Sequence, residues 1–338
     1  MPNKKNSKKI QARAAVKLAS RNANAVADSR AMKRPESSRF SLYIYWFIIL
    51  FFVAATCYIL GRGYSITHKM RGANISESYS VNMDGLSTEE RARMSEEYLK
   101  SGQVKLLSGD HIGAIADLTI SIDAAPSAIA FLYRGESFMQ GAEYSNALAD
   151  FTNAIKMDPE NAIAYYDGAL VSMRLEKFDE ARAALDIALD LYKRRPTEVL
   201  SLRDIYSKRA QVNLWTKDWE AAAADYTNAI GAGDSPNYAD FAGRAEAFTA
   251  MGQYLDAAND YMSAVTIIAA VIQGEESSDV RETMSRDAMT YFEKAAALHV
   301  ALGDAASASI NLDAALTLAV SLNDAETAAR LRGLIEKM

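Results

Sequence analysis

The sequence predicts an all-α chain in which one membrane-spanning helix precedes a stack of helix pairs. Three observations carry that prediction. Apolar residues fill 50% of the 338 positions, Ala, Leu and Ile outweigh Val, and there are only six prolines, a balance that favours helix. An uncharged stretch, "FSLYIYWFIILFFVAATCYILG", runs from Phe40 to Gly61. Beyond it, one pattern of small, aromatic and apolar positions recurs six times.

The net charge of −6 hides an asymmetry. Residues 1–40 carry eleven basic side chains against Asp28 and Glu36, a balance of +9, which leaves 26 basic and 41 acidic residues, or −15, in 41–338. A tail of this kind reads as largely disordered, with anionic lipid head groups as its expected contact. The acidic body argues against nucleic acid as a partner. Cys57 is the single cysteine, and His68, His111 and His299 are the three histidines. No intramolecular disulfide is possible and no metal site is expected.

From Leu42 to Leu60 the residues are mostly apolar, enough for a helix of roughly 28 Å, about the thickness of a bilayer's hydrocarbon core. Tyr43, Tyr45 and Trp46 at one end, with Tyr58 and Tyr64 at the other, suit the two interfaces. The basic segment ahead is longer than a signal peptide's, so residues 41–61 are expected to remain as an anchor. Eleven basic residues precede the span, whereas Arg62, Lys69 and Arg71 follow it. That bias puts the N-terminus in the cytoplasm and the body outside, which in a bacterium means an inner-membrane anchor with a periplasmic domain. The Arg-, Ala- and Ser-rich tail also fits a mitochondrial targeting segment, so a mitochondrial membrane is the alternative. Residues 62–92 are polar, with Gly72, Gly85 and Asn74, and read as a linker. The helical repeats are placed at 93–338.

The repeats align on Ala114, Ala147, Ala181, Ala222, Ala257 and Ala308, at steps of 33, 34, 41, 35 and 51 residues. Three residues earlier stand His111, Tyr144, Phe178, Trp219, Tyr254 and Ala305, and four later stand Leu118, Phe151, Leu185, Tyr226, Tyr261 and Leu312. Seven later come Ser121, Ala154, Ala188, Ala229, Ala264 and Ala315. Positions 0, +4 and +7 share one helical face. A small residue sits at −12 (Gly102, Gly135, Ala169, Ala210, Ala245, Ala296) and an aromatic at −16 (Tyr98, Phe131, Tyr165, Tyr206, Phe241, Phe292). The small residues let two helices approach while the aromatics fill the gaps between repeats. Pro126 and Pro159 stop the second helix of a pair. The long steps point to insertions around 192–199 and 273–287. The stretch after Leu322, "NDAETAARLRGLIEKM", reads as a final capping helix.

This pattern resembles the tetratricopeptide repeat, an antiparallel helix pair of about 34 residues, over roughly residues 95–320. The second copy, "AIAFLYRGESFMQGAEYSNALADFTNAIKMDP", is nearly a full match, whereas the first and sixth are degenerate. The resemblance implies a right-handed α-solenoid of about six helix pairs plus a cap, whose first helices line a concave groove. Transferred inner-face positions are Leu99, Gln103 and Leu106; Ile129, Leu132, Glu136 and Met139; and Ile163, Tyr166, Leu170 and Met173. In later repeats they are Asp204, Ser207, Gln211 and Leu214, then Ala242, Glu246 and Thr249, then Glu293 and Ala297. The first half is apolar and the second more polar. The candidate ligand groove is therefore Leu99, Leu106, Ile129, Leu132, Glu136, Met139, Ile163, Tyr166, Leu170 and Met173. The family's basic clamp for an acidic chaperone C-terminus is missing: Leu99, Gln103, Tyr133, Ile163 and Asp167 occupy its places.

No phosphate-binding loop, dinucleotide fingerprint or nucleophile elbow is present. His111 and His299 fall at repeat positions used for packing. The expectation is an interaction protein, not an enzyme, with no cofactor and no small-molecule substrate. An apolar groove containing Met favours an amphipathic helix or extended apolar segment as partner. The leading reading is a membrane-anchored scaffold or adaptor in a cell-envelope assembly of secretion, pilus or motility type. The alternatives are a periplasmic chaperone or quality-control factor beside a translocation site, and a mitochondrial import receptor.

Overall fold

A computed structural model of the chain describes residues 83–233 and 236–338. The tail at 1–40, the span at 41–61 and most of the linker at 62–92 lie outside the described residues. The first helix, α1 (Thr88–Leu107), begins within the segment read as linker, before residue 93. Ser87 starts it with a capping box: its hydroxyl accepts from the Glu90 amide while the Glu90 carboxylate accepts from the Ser87 amide, so two otherwise unpaired donors are satisfied.

Twelve more helices follow, and no strand occurs among the described residues. They are α2 (His111–Ala124), α3 (Ala128–Gln140), α4 (Tyr144–Met157), α5 (Ala162–Arg174), α6 (Phe178–Arg194) and α7 (Leu202–Trp215). Next come α8 (Trp219–Ala232), α9 (Tyr238–Ala250), α10 (Tyr254–Ile272), α11 (Ser278–Ala301), α12 (Ala305–Ser321) and α13 (Ala325–Ile335). These are six pairs and a cap. Each helix packs on the next, and α1, α3, α5, α7 and α9 also touch in succession. The first helices therefore form the inner layer.

The aligned positions explain the packing. Ala114, Ala147, Ala181, Ala222, Ala257 and Ala308 are all fully buried. Opposite them, a Cβ on Gly135 would lie 2.8 Å from Cε1 of Phe151, and one on Gly102 would lie 2.6 Å from Cγ of Leu118. Glycine there makes room for the large buried residue at +4. In the fourth and fifth pairs the relief is displaced: Gly243, on α9, faces the ring of Tyr226 on α8.

Every first helix ends the same way. Gly109, Ala142, Glu176, Lys217, Gly252 and Gly303, each five residues before the central alanine, adopt positive φ between 59° and 80°. The following amide then donates back across the end of the helix, as from Glu143 to the Phe138 carbonyl at 2.8 Å and from Asp304 to the His299 carbonyl at 2.8 Å. This satisfies carbonyls the helix leaves open.

The irregular steps have simple causes. The step of 41 reflects a longer α6, ending at Arg194, and the Pro196 loop. The step of 51 reflects a longer pair of helices, α10 of 19 residues and α11 of 24, joined by a short loop. Helix α10 is long and apolar enough to pass a length-and-composition test for crossing a membrane. It is the second helix of the fifth pair, packed between α9 and α11.

A recurring ion pair ties the layers together. Arg134 on α3 donates from Nε and Nη2 to both oxygens of Asp150 on α4, at 2.7 and 2.8 Å. Arg209 holds Asp225 in the same way at 2.8 and 2.6 Å, and Arg244 holds Asp260 at 2.7 and 2.8 Å. The remaining Nη1 reaches the second helix of the preceding pair: Thr119 at 3.1 Å, Asp186 at 2.7 Å and Thr227 at 3.1 Å. Each guanidinium also lies over the aromatic at −16, Phe131, Tyr206 or Phe241, at 5.6–5.7 Å. Bidentate geometry with ring stacking is what arginine offers and lysine does not.

Candidate functional site

The groove runs along the inner helices, at the edge where each first helix turns into its second. Three clefts open there, and all three share Trp215, the last residue of α7. The largest, about 740 Å³, is lined by Leu214, Trp215, Trp219, Glu246, Thr249, Ala250, Tyr254, Tyr261, Lys294, Ala297, Leu298 and Ala301. The second, about 450 Å³, is lined by Met139, Gln140, Tyr144, Leu170, Met173, Arg174, Lys208, Gln211 and Trp215. The third, about 530 Å³, lies between Met173, Arg174, Glu176, Phe178 and Trp215.

Trp215 is 47% exposed. Its ring is held by Phe178, whose centroid is 5.2 Å away at a tilt of 53°, a favourable offset geometry. A half-exposed indole between clefts is the kind of side chain that anchors protein recognition. The largest cleft has one charged pair in an apolar and aromatic wall. Lys294 donates to Glu246 at 2.8 Å and stands 5.3 Å over the ring of Tyr261, and Tyr261 stacks on Tyr291 at 5.7 Å.

Further along the inner face, carboxylates and tyrosines alternate. Burial pushes the Asp167 carboxyl up to about 7, with the Glu136 carboxylate adding to the effect. Glu136 is raised by burial. Tyr166 is pushed up to about 12 by burial and by Asp204 and Asp167. Asp240 is 2% exposed and accepts from the Ser207 hydroxyl at 2.5 Å, and burial raises its pKa although Ser207 and Arg203 oppose that.

The ten sequence-selected groove residues fall into distinct settings. Met139, Leu170 and Met173 come together in the second cleft, where Met139 and Leu170 offer surface and Met173 is largely buried in the core behind them. Ile129 is 44% exposed, near the start of α3. Leu99, Ile163 and Tyr166 are partly buried against the core, and Glu136 is partly buried on the same inner face. Leu106 and Leu132 are buried inside the stack, Leu106 against Ala114 and Leu118, Leu132 among Ile115, Phe138 and Phe151. Their side chains therefore build the core and are closed to a partner. From the more polar half, Leu214, Glu246, Thr249 and Ala297 line the largest cleft and Gln211 the second.

Trp215, Trp219, Tyr254, Tyr144, Arg174 and Lys208 were not among the selected residues. Tyr144, Trp219 and Tyr254 hold the −3 position, read as stack-building, yet they form the lips of clefts. A usable signal was present: the last residue of each first helix is Leu107, Gln140, Arg174, Trp215, Ala250 or Ala301, and an unpatterned Trp among such residues marks the rim. Among the described residues, no group of three or more His, Cys, Asp or Glu is placed to hold a metal ion.

No family model matches the chain. Among curated proteins, mouse sperm-associated antigen 1 is 30% identical over 139 residues, which is 39% of this chain and 15% of that protein's length. Among solved structures, the C-terminal part of a TPR repeat-containing protein from Cytophaga hutchinsonii superposes with a TM-score of 0.53 at 15% identity, over 66% of this chain and 83% of that one. A structure of Pseudomonas aeruginosa pilF gives 0.51 at 16% identity, over 72% of this chain and 98% of its own. With six helix pairs sharing one packing scheme, these likenesses identify the fold: residues 88–335 form a tetratricopeptide-repeat solenoid.

Proposed function

We propose that the protein is a membrane-anchored scaffold that holds a protein partner in the groove around Trp215, within a cell-envelope assembly. The observation that carries this reading is the run of clefts meeting at a half-exposed tryptophan. An apolar groove that accepts the apolar face of a helix or extended segment is a recurring mode of peptide recognition. The uncharged run from Phe40 to Gly61 and the basic bias before it support an anchor with a cytoplasmic N-terminus and the solenoid outside. Such tethering raises the local concentration of the groove for partners in the same membrane.

A photo-crosslinking amino acid at Ala250, on the lining of the largest cleft, leaves Trp215 in place and, used in native membranes and read by mass spectrometry, tests the reading. One stoichiometric protein partner is expected. A spread of unrelated unfolded clients would favour the chaperone reading, and an absence of crosslinks from Ala250 would remove the groove from consideration. Protease digestion of sealed membranes tests the topology: cleavage within residues 1–40 from the side that also exposes the solenoid would refute it.

A further inference from the structure

We propose that the groove between α5 and α7 takes a protein segment that sets carboxylates beside a bulky apolar side chain. The proposal rests on the reading of the groove as a protein-binding face and names the chemistry of its occupant. Elsewhere on the inner helices, cations are engaged: Arg134, Arg209, Arg244 and Lys294 each hold a carboxylate at 2.6–2.8 Å. Arg174 and Lys208 do not. Both line the second cleft, and neither makes an ion pair or side-chain hydrogen bond among the described residues. Lys208 acts on the Asp240 carboxylate through space but makes no hydrogen bond to it; one oxygen of Asp240 accepts from Ser207. Glu176, on the rim of the third cleft, makes no ion pair with Arg174.

Gln140 and Gln211 complete the polar lining with amide N–H groups that have no acceptor among the described residues. The cleft thus offers donors and two positive charges, in a body whose balance over 41–338 is −15. Its walls are apolar, from Met139 and Leu170 backed by the largely buried Met173. Across Trp215 lies the cleft of about 740 Å³, which has room for a Phe- or Leu-sized side chain. Acceptors over the cations and an apolar anchor past the indole fit both halves at once. Complementary charge of this sort sets partner choice and encounter rate, while an aromatic anchor in a pocket supplies affinity.

The test uses the full chain in mild detergent and fluorescein-labelled, end-blocked peptides read by anisotropy. One peptide has a Glu-Phe-Leu-Glu core, a second replaces both Glu by Lys, and a third replaces Phe-Leu by Ala-Ala. The Glu-Phe-Leu-Glu peptide is expected to bind tightest and to weaken with salt. The paired change Arg174→Glu and Lys208→Glu should reverse the preference between the charged peptides, a swing of about tenfold or more, since about 1.4 kcal/mol is a factor of ten. Trp215→Ala should weaken both Phe-Leu peptides and leave their order unchanged. The milder pair Arg174→Gln and Lys208→Gln checks that lost binding does not reflect lost fold.

Equal binding of the two charged peptides, or an unchanged preference in the reversed variant, overturns the proposal while leaving a protein-binding groove intact. Binding of no peptide in a Trp215-dependent way overturns it together with the function it rests on. Self-association that disappears with Trp215→Ala would place a second copy in the groove and likewise overturn it.

Discussion

At Asp167 a carboxyl is kept on the inner face of α5 with its pKa raised from 3.8 to about 7, by burial first and by Glu136 second. The folded chain therefore keeps a proton that the unfolded chain gives up near the ordinary value. Between about pH 4 and pH 7 the native state binds more protons than the unfolded state, so stability falls as pH rises, and above that window the penalty is constant. Asp167→Asn removes the ionisation. It should raise the urea midpoint at neutral pH and leave it nearly unchanged near pH 4. Denaturation curves at the two pH values check this, and no gain at neutral pH would refute the assignment. The sequence did contain Asp167, noted only as a departure from the family's basic clamp. Its perturbation comes from burial and from a neighbour 31 positions away, which no local pattern displays.

At the scale of single elements, the turn after each first helix demands a left-handed residue, and the chain meets that demand unevenly. Gly109, Gly252 and Gly303 suit it, whereas Ala142, Glu176 and Lys217 carry a Cβ at φ 59–63°. In the second pair Gly141 stands one residue too early, at φ −75°. Each of Ala142→Gly, Glu176→Gly and Lys217→Gly should stabilise by up to about 1 kcal/mol, the relief of left-handed strain less the added freedom of the unfolded chain. Thermal melts of the three variants test it. The Arg–Asp pairs supply a contrasting prediction. Asp260 is buried and bonded to Arg244, so Asp260→Ala should cost about 3–5 kcal/mol by stranding the guanidinium. Adding Arg244→Met should recover much of that loss in a double-mutant comparison. Both devices were written in the sequence, as the −5 glycines and as Arg at −13 with Asp at +3. They went unread because charged residues are ordinarily assigned to solvent and a turn residue that is sometimes Ala, Glu or Lys has no compositional mark. The apolar face at 0, +4 and +7 was legible because period alone defines it.

For the molecule as a whole, the six pairs and cap followed from the alignment, but the place where the groove opens did not. The apolar first half looked like the binding half, yet Leu106 and Leu132 there close the core. The largest of the three clefts lies past α7, where the helix lengths depart from the repeat. A stack in which each pair meets only its neighbours should respond locally to damage. The cap α13 covers Leu312, Ala315 and Met289 with Ala328 and Leu331. Ending the chain at Leu322 should therefore abolish amide-exchange protection in α11 and α12 while α3–α8 keep theirs, and uniform loss would show a more cooperative stack. The third hydrogen bond of each arginine points the same way every time, backward to Thr119, Asp186 or Thr227. The pairs are consequently not interchangeable beads. A duplicated or transplanted unit bearing that arginine should keep all its hydrogen bonds only behind a predecessor with a Thr or Asp five residues after the central alanine, a condition that Thr119, Asp186 and Thr227 meet.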